Sequence, residues 1–319
     1  MVTRPSIRSI EDATHAFVLG SAKCGSTSPC SHLDQYSDIC FSEPKEPVFF
    51  EAEYERGLDY YHRRYFEPWS GEPIVAERRT HNLMLPFVPE RIRVSLLDAK
   101  LVVILRDPVY RAYSHWWHRY SRRLESDELR TACRANLACI RAGITYAGEC
   151  GTAEWPDNLR LDQKNAASRS VVYLWLRHYA EQIERYLASF PRERLEILFF
   201  EDLEFDPAAV ARRVWTFLGL DPNAELAELG ARNVANPYRT SPFAVRLRRV
   251  PVPTFARRSV PRPVARAARA FLRGRPVERP PLDTAAEKWL ADYYEPHHRS
   301  LEHLLGREIT GWRRGRRSV

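Results

Sequence analysis

The sequence predicts an α/β fold in which a mostly parallel central sheet is flanked by helices on both faces. Short apolar runs that fit strands buried on both faces recur along the chain, and the clearest covers residues 101–105. Helical patterns separate these runs, an alternation typical of parallel βαβ units. Small or charged residues follow the runs at 17–19 and 101–105. Open α/β sheets bind ligands beyond the C-terminal ends of their strands, so these residues are candidates for a binding site.

The first strand is predicted at residues 17–19 and leads into a turn of small residues, Gly20-Ser21-Ala22. Successive backbone N–H groups at such a turn, followed by a helix N-terminus, form an anion-binding site. The turn continues with one cation, a glycine and three hydroxyl side chains, at Lys23, Cys24, Gly25, Ser26, Thr27 and Ser28. This composition favours a phosphate or sulfate site, and the alternative is a plain strand-to-helix turn.

The nucleotide P-loop pattern, Gly-x-x-x-x-Gly-Lys-Ser/Thr, is not met by this turn. Lys23 precedes Gly25, and no lysine precedes Ser26. The sequence therefore disfavours a nucleotide kinase, which stays open as an alternative.

The elements after the turn are predicted in order. A helix over residues 29–36 begins at a proline, which suits a first helical turn. A short strand at 38–41, an amphipathic helix at 57–66 and a strand at 74–77 follow.

Charged residues lie between prolines and a phenylalanine pair in residues 42–50. A carboxylate near apolar surface tends to have a raised pKa, which suits a general base. Glu46 is the candidate, and an exposed loop glutamate is the alternative.

A helix over residues 89–97 precedes the central strand at 100–105. Arg106 follows at the strand's C-terminal end, and Pro108 can begin the next helix. Arg111, Ser114 and His115 fall near one face of that helix.

The second half continues the pattern. Helices are predicted at 127–141, 170–190 and 210–218, with a strand at 195–200, and residues 289–294 with 297–305 are predicted to form the closing helix. Residues 236–280 are rich in arginine and proline and are predicted to cover the site. A solvated basic stretch is the alternative, and residues 264–272 could lie on a membrane surface.

Length and composition are consistent with one domain over residues 1–319. The formal net charge is +8, and arginine favours bidentate binding of phosphate or sulfate. A basic module for nucleic acid or anionic lipid is the alternative. No apolar signal core or bilayer-spanning run is present, so we expect a cytoplasmic protein. The six cysteines favour reduced thiols, and a bridge among Cys133, Cys139 and Cys150 stays open.

Several of these segments, spread over residues 17–312, resemble sulfotransferases that use 3′-phosphoadenosine 5′-phosphosulfate (PAPS). The order Lys-x-Gly-Ser-Thr at residues 23–27 is similar to the family's 5′-phosphosulfate loop. The strand at 101–105 with Arg-Asp-Pro and Ser114 resembles its 3′-phosphate segment. Lys45-Glu46-x-x-Phe49-Phe50 is similar to the segment that carries its general base, and residues 273–275, Arg-Gly-Arg, resemble its basic closing loop.

The resemblance implies a sulfotransferase fold with P-loop-kinase-like topology. It implies transfer of a sulfuryl group from PAPS to a hydroxyl of a small molecule, glycoside or natural product, without a metal and without nucleic acid. Lys23 would stabilise the leaving group and Glu46 would act as the base. The cofactor would be bound by residues 23–28 and by Arg106, Ser114, Arg273 and Arg275. The acceptor would contact Glu77, Arg78, Arg79 and His81, where relatives read Glu-x-Thr/Ser-Pro. A bacterial, natural-product-tailoring role is a further expectation.

Overall fold

A computed structural model of the chain describes residues 9–20, 24, 33, 36–142, 173–174, 178–222 and 278–312. Its centre is a five-stranded sheet in which every neighbouring pair is parallel. The strands are β1 (Thr14–Gly20), β2 (Ile39–Phe41), β3 (Ile74–Arg78), β4 (Lys100–Leu105) and β5 (Leu195–Phe199). Their order in the sheet is β2-β3-β1-β4-β5. The α/β prediction with a parallel central sheet is confirmed.

Helices occupy most of the connections between these strands in the described residues. They are α1 (Leu58–Tyr65), α2 (Val88–Ser95), α3 (Pro108–Tyr120), α4 (Leu129–Arg141), α5 (Tyr179–Ser189), α6 (Phe200–Phe205), α7 (Pro207–Leu218) and α8 (Thr284–Leu305). α5 packs against α2 and α8, and α8 also packs against α3. The long C-terminal helix therefore lies beside the helix that follows β4 and the helix that precedes β5.

The core of the sheet lies at β1 and β4. Residues 101–105 have no exposed surface, and Phe17, Val18 and Leu19 are at most 1% exposed. β1 pairs with β4 in the register that sets Phe17 opposite Leu101 and Gly20 opposite Ile104. Because both faces of these strands are covered, their side chains are apolar at consecutive positions rather than alternating.

The predicted helix over residues 170–190 is wrong at its start, because α5 begins at Tyr179. Tyr173 and Leu174 instead form a buried turn. The Tyr173 N–H donates to Asn136 Oδ1 across 2.8 Å, and the Tyr294 hydroxyl donates to the Tyr173 carbonyl oxygen across 3.0 Å. The side chains of Asn136 and Tyr294 therefore bond the backbone N–H and carbonyl groups of Tyr173, which in a helix would be bonded to other backbone groups.

Residues 289–294 and 297–305 lie in one closing helix, α8, which runs through Pro296. Leu290, Tyr294 and Leu301 are buried on both sides of the proline. Burial of both halves keeps the helix continuous although the proline removes one hydrogen bond. The predicted strand 195–200 is one residue shorter, because α6 begins at Phe200.

The structure describes four cysteines, Cys24, Cys40, Cys133 and Cys139, and of these Cys40 and Cys139 are free thiols. Cys150 lies outside the described residues, as does the predicted cover segment up to residue 277.

Candidate functional site

The C-terminal ends of β1 and β4 lie side by side where the chain leaves for the predicted anion-binding turn. A Cβ atom at Gly20 would lie 2.8 Å from the Ile104 carbonyl oxygen, so only glycine fits this approach. In the strand order, β1 is the central strand from which the chain moves to both sides of the sheet. Open α/β sheets bind ligands at this kind of position.

Most of the predicted cofactor-binding residues lie outside the part of the chain that the structure describes. These are Lys23, Gly25, Ser26, Thr27, Ser28, Arg273 and Arg275. Cys24 is described and is fully buried. Its Sγ atom lies 3.5 Å from the hydroxyl oxygen of Tyr179 on α5. Cys24 is therefore held against α5.

Arg106 directly follows β4 and is half-buried. Its guanidinium carbon lies 4.1 Å from the ring centroid of Phe200. Stacking on an aromatic face orients a guanidinium, which fixes the direction of its N–H groups. Ser114 lies on α3, half-buried, so the structure places both predicted 3′-phosphate residues on the segment that starts at the end of β4.

Asp107 shows why the Arg-Asp-Pro sequence forms this corner. Its Oδ1 atom accepts hydrogen bonds from the Val109 and Tyr110 N–H groups at 2.8 and 3.3 Å. Pro108 occupies the first turn of α3, where a missing N–H costs nothing. The cap fixes where α3 begins and so where Arg106 leaves the sheet.

Tyr179 joins the two predicted cofactor segments and was not found by sequence reasoning. Its hydroxyl donates to the Arg106 carbonyl oxygen across 3.2 Å and also contacts Cys24. The residue is 2% exposed. In the sequence it is one aromatic position among several in a helical pattern, so nothing distinguished it.

Glu46, the predicted base, does not lie against apolar surface as the sequence analysis expected. Phe49 and Phe50 turn into the core, which leaves the Glu46 carboxylate outside with 42% of its side chain exposed. There the Arg78 Nη2 group donates to Oε1 across 2.8 Å, and Arg79 Nη1 lies 3.8 Å from Oε2. The structure thus brings together Glu46, Arg78 and Arg79, at the C-terminal end of β3.

Arg79 is held from the other side by Glu51, a residue that the sequence analysis did not select. The Glu51 side chain has no exposed surface and receives two hydrogen bonds from the Arg79 guanidinium. His81 Nδ1 lies 2.9 Å from Arg79 Nη2. Burial acts to raise the pKa of Glu51, but the hydrogen bonds from Arg79 and His81 and their charges outweigh it and lower the pKa to about 2.

Glu77 was predicted to contact the acceptor, but it is 1% exposed. Tyr61 and Asn82 donate to its two oxygens at 2.6 and 2.9 Å. Burial raises the pKa of Glu77 to about 8. In an acceptor site, Glu77 would hold in place the end of β3, with Arg78, and the loop after it, with Arg79 and His81.

The sequence analysis expected no cluster of metal ligands. The structure nevertheless brings the side chains of His178, Glu181 and His297 together, on α5 and α8. Among the described helices, none is long and apolar enough to cross a membrane.

Comparison with known proteins gives the family. The sequence matches the family described as "Sulfotransferase domain" over residues 13–240. The mouse bifunctional heparan sulfate N-deacetylase/N-sulfotransferase 3 is 27% identical over 309 residues, covering 93% of this chain and 31% of that protein. The human heparan sulfate glucosamine 3-O-sulfotransferase 6 is 30% identical over 205 residues, covering 64% of this chain and 52% of that protein. The chain spans less than two-thirds of the length of these relatives.

A solved structure supports the fold. The crystal structure of a sulfotransferase from Alicyclobacillus acidocaldarius superposes with a TM-score of 0.60 at 23% identity, covering 94% of this chain and 99% of that one. The match to the family over most of the chain shows that the chain belongs to the sulfotransferase family, whose members are transferase enzymes, and the superposition shows the same α/β fold.

Proposed function

We propose that this chain transfers a sulfuryl group from PAPS to a hydroxyl group of a small-molecule, glycoside or natural-product acceptor. The observation that carries the proposal is the meeting of two segments at the Tyr179 hydroxyl, which contacts Cys24 of the anion-binding turn and the carbonyl oxygen of Arg106. The sites predicted for the 5′-phosphosulfate and the 3′-phosphate therefore share one edge of the sheet. The relatives named above act on heparan sulfate, which favours a glycoside among these acceptors.

The residues present fit PAPS. Because Gly20 has no Cβ atom, the chain can leave β1 close to β4. Lys23 supplies a cationic donor, and the hydroxyl groups of residues 26–28 supply neutral donors. Arg106 and Ser114 supply a charged and a hydroxyl donor on the neighbouring segment. Bound PAPS supplies an activated sulfuryl group, and adenosine 3′,5′-bisphosphate is its leaving group.

The chain's own residues then position the reactants and stabilise the charge that develops during transfer, as in phosphoryl transfer. The Lys23 ammonium neutralises the charge that gathers on the leaving oxygen. Glu46 accepts the proton of the acceptor hydroxyl. Arg78 holds the Glu46 carboxylate in place by donating a hydrogen bond to it across 2.8 Å. Arg79, anchored on buried Glu51, forms the wall of the acceptor site.

Calorimetry of the full chain with adenosine 3′,5′-bisphosphate against ADP tests the donor. Tight binding of the bisphosphate and weak binding of ADP are expected. Sulfuryl transfer from PAPS to a panel of hydroxyl acceptors tests the reaction, with Lys23→Ala as a variant of greatly reduced activity. Transfer from ATP with Mg²⁺ and none from PAPS would establish a kinase instead. Steeply salt-dependent duplex or vesicle binding without turnover would establish a basic binding module.

A further inference from the structure

Three potential metal ligands from two helices meet beside the candidate site. His178 is the N-cap residue of α5, Glu181 lies one turn later on α5, and His297 lies on α8. One ligand atom from each residue lies within 4.8 Å of the other two. The two helices are far apart in the sequence, so no spacing pattern could have indicated this cluster.

The distances are close to those of a first coordination sphere. His178 Nδ1 lies 3.3 Å from Glu181 Oε1. Two ligands about 2.0–2.1 Å from a tetrahedral zinc ion are about 3.3 Å apart. The rings of His178 and His297 stack with centroids 3.7 Å apart and planes inclined by 16°. Metal binding requires the His297 ring to turn out of this stacked arrangement, because a metal ion lies in the plane of the imidazole that binds it.

The surroundings of His178 orient it as metal-binding histidines are usually oriented. Its Nε2 atom lies 3.1 Å from the hydroxyl of Tyr293, one turn before His297 on α8. A partner on the second ring nitrogen fixes the ring and keeps Nδ1 turned toward Glu181, the side on which the metal would lie. α8 therefore supplies both a ligand and the group that orients the opposite ligand.

We propose that His178, Glu181 and His297 bind one divalent transition metal of the zinc type, which fastens α5 to α8. Two imidazoles and one carboxylate suit Zn²⁺, Co²⁺ or Ni²⁺ rather than Mg²⁺ or Ca²⁺, which prefer oxygen ligands. The fourth position is open to water. The metal is structural: it fixes the start of α5, where the next residue, Tyr179, contacts Arg106 and Cys24.

The test uses the tag-free full chain after removal of metal by a chelator. Co²⁺ is added and the intensity of its visible absorption bands is recorded, because tetrahedral Co²⁺ absorbs far more strongly than octahedral Co²⁺. Zn²⁺ is titrated calorimetrically in parallel. The variants Glu181→Gln and His297→Gln keep the side-chain size. Glu184→Gln and His303→Gln are matched controls, because these residues are exposed and lie on the same two helices.

One metal per chain with an intense cobalt spectrum is expected for the wild type and both controls. Glu181→Gln and His297→Gln should bind more than roughly tenfold more weakly. Zn²⁺ should raise the melting temperature of the wild type and the controls but not of the two site variants. Equal Zn²⁺ affinity in the wild type and His297→Gln, or no cobalt spectrum in any protein, would overturn the proposal. Neither readout depends on PAPS, so its failure is separate from failure of the proposed function.

Discussion

The hydroxyl group of Tyr179 donates a hydrogen bond to the carbonyl oxygen of Arg106 across 3.2 Å. The same oxygen lies 3.5 Å from the sulfur of Cys24. One side chain of α5 therefore contacts the turn after β1 and the residue after β4. These are the two segments predicted to bind opposite ends of the cofactor, so their relative position depends in part on a helix that neither segment belongs to.

Tyr179→Phe should weaken binding of adenosine 3′,5′-bisphosphate by about two- to tenfold, because a hydrogen bond worth about 0.5–1.5 kcal/mol then no longer fixes the two segments. The measurement is calorimetric titration of the bisphosphate. Tyr186→Phe is the matched control: its hydroxyl donates to the Asn82 carbonyl oxygen across 2.7 Å, on the same helix but toward the acceptor side. Equal losses of affinity in the two variants would contradict a specific role for Tyr179.

The features that could be predicted from the sequence were those that depend on neighbouring residues. The apolar run at residues 101–105 is a strand with no exposed surface, and the Asp107-Pro108 pair caps α3 where the Arg-Asp-Pro pattern predicted a strand-to-helix corner. Local periodicity and capping chemistry are enough for both.

The features that could not be predicted depend on contacts between distant parts of the chain. Glu51 follows two phenylalanines and has the pattern of an ordinary loop carboxylate. In the structure its side chain is buried and accepts hydrogen bonds from the Arg79 guanidinium. Glu46 was expected against the same phenylalanines, which instead turn into the core. Which side of a loop faces the interior is decided by tertiary packing, and a single sequence carries little record of that choice.

Arg106→Ala should weaken binding of adenosine 3′,5′-bisphosphate by about 1.5–3 kcal/mol, the value of a hydrogen bond to a charged group. The guanidinium is held on the Phe200 ring, so alanine removes it without opening the core. A nucleotide that lacks the 3′-phosphate is the control ligand and should bind wild type and variant equally. Equal weakening for both nucleotides would refute the assignment of Arg106 to the 3′-phosphate.

The buried Arg79–Glu51 pair should stabilise the fold in a pH-dependent way. The pKa of Glu51 is lowered from 4.5 to about 2, so its contribution is complete above about pH 4.5 and is lost as the pH falls toward 2. Arg79→Met should lower the unfolding free energy at pH 7 by roughly 3–5 kcal/mol, because it removes the guanidinium that balances the charge of a buried carboxylate. Denaturant titrations at several pH values measure both effects.

Arg93→Met is the control for this pair. Arg93 also bonds a glutamate, Glu90, but both side chains are largely exposed. Its replacement should leave the unfolding free energy nearly unchanged. If Arg79→Met is as mild as Arg93→Met, the buried pair does not stabilise the fold.

His15 and His62 should make the fold sensitive to mild acid. Their Nε2 atoms lie 3.0 Å apart, and His15 Nδ1 lies 3.0 Å from the Ala13 carbonyl oxygen. Burial, with the nearby His62, lowers the pKa of His15 from 6.5 to about 4. The folded state excludes the proton, so stability is complete above about pH 6.5 and falls between pH 6.5 and 4, by roughly 3 kcal/mol. His15→Gln should flatten that fall, whereas the exposed-site variant His303→Gln should retain it.

Glu46→Gln should lower kcat by about 10²–10⁴, the range for loss of a general base. The substitution keeps the shape of the side chain and can still accept the hydrogen bond that Arg78 donates across 2.8 Å. Affinity for adenosine 3′,5′-bisphosphate should therefore be nearly unchanged, and the loss should appear in the chemical step. Glu43→Gln, an exposed carboxylate in the same loop, is the matched control and should retain full activity. If Glu46→Gln is as active as Glu43→Gln, the base lies elsewhere, and His81 beside Arg79 becomes the next residue to replace.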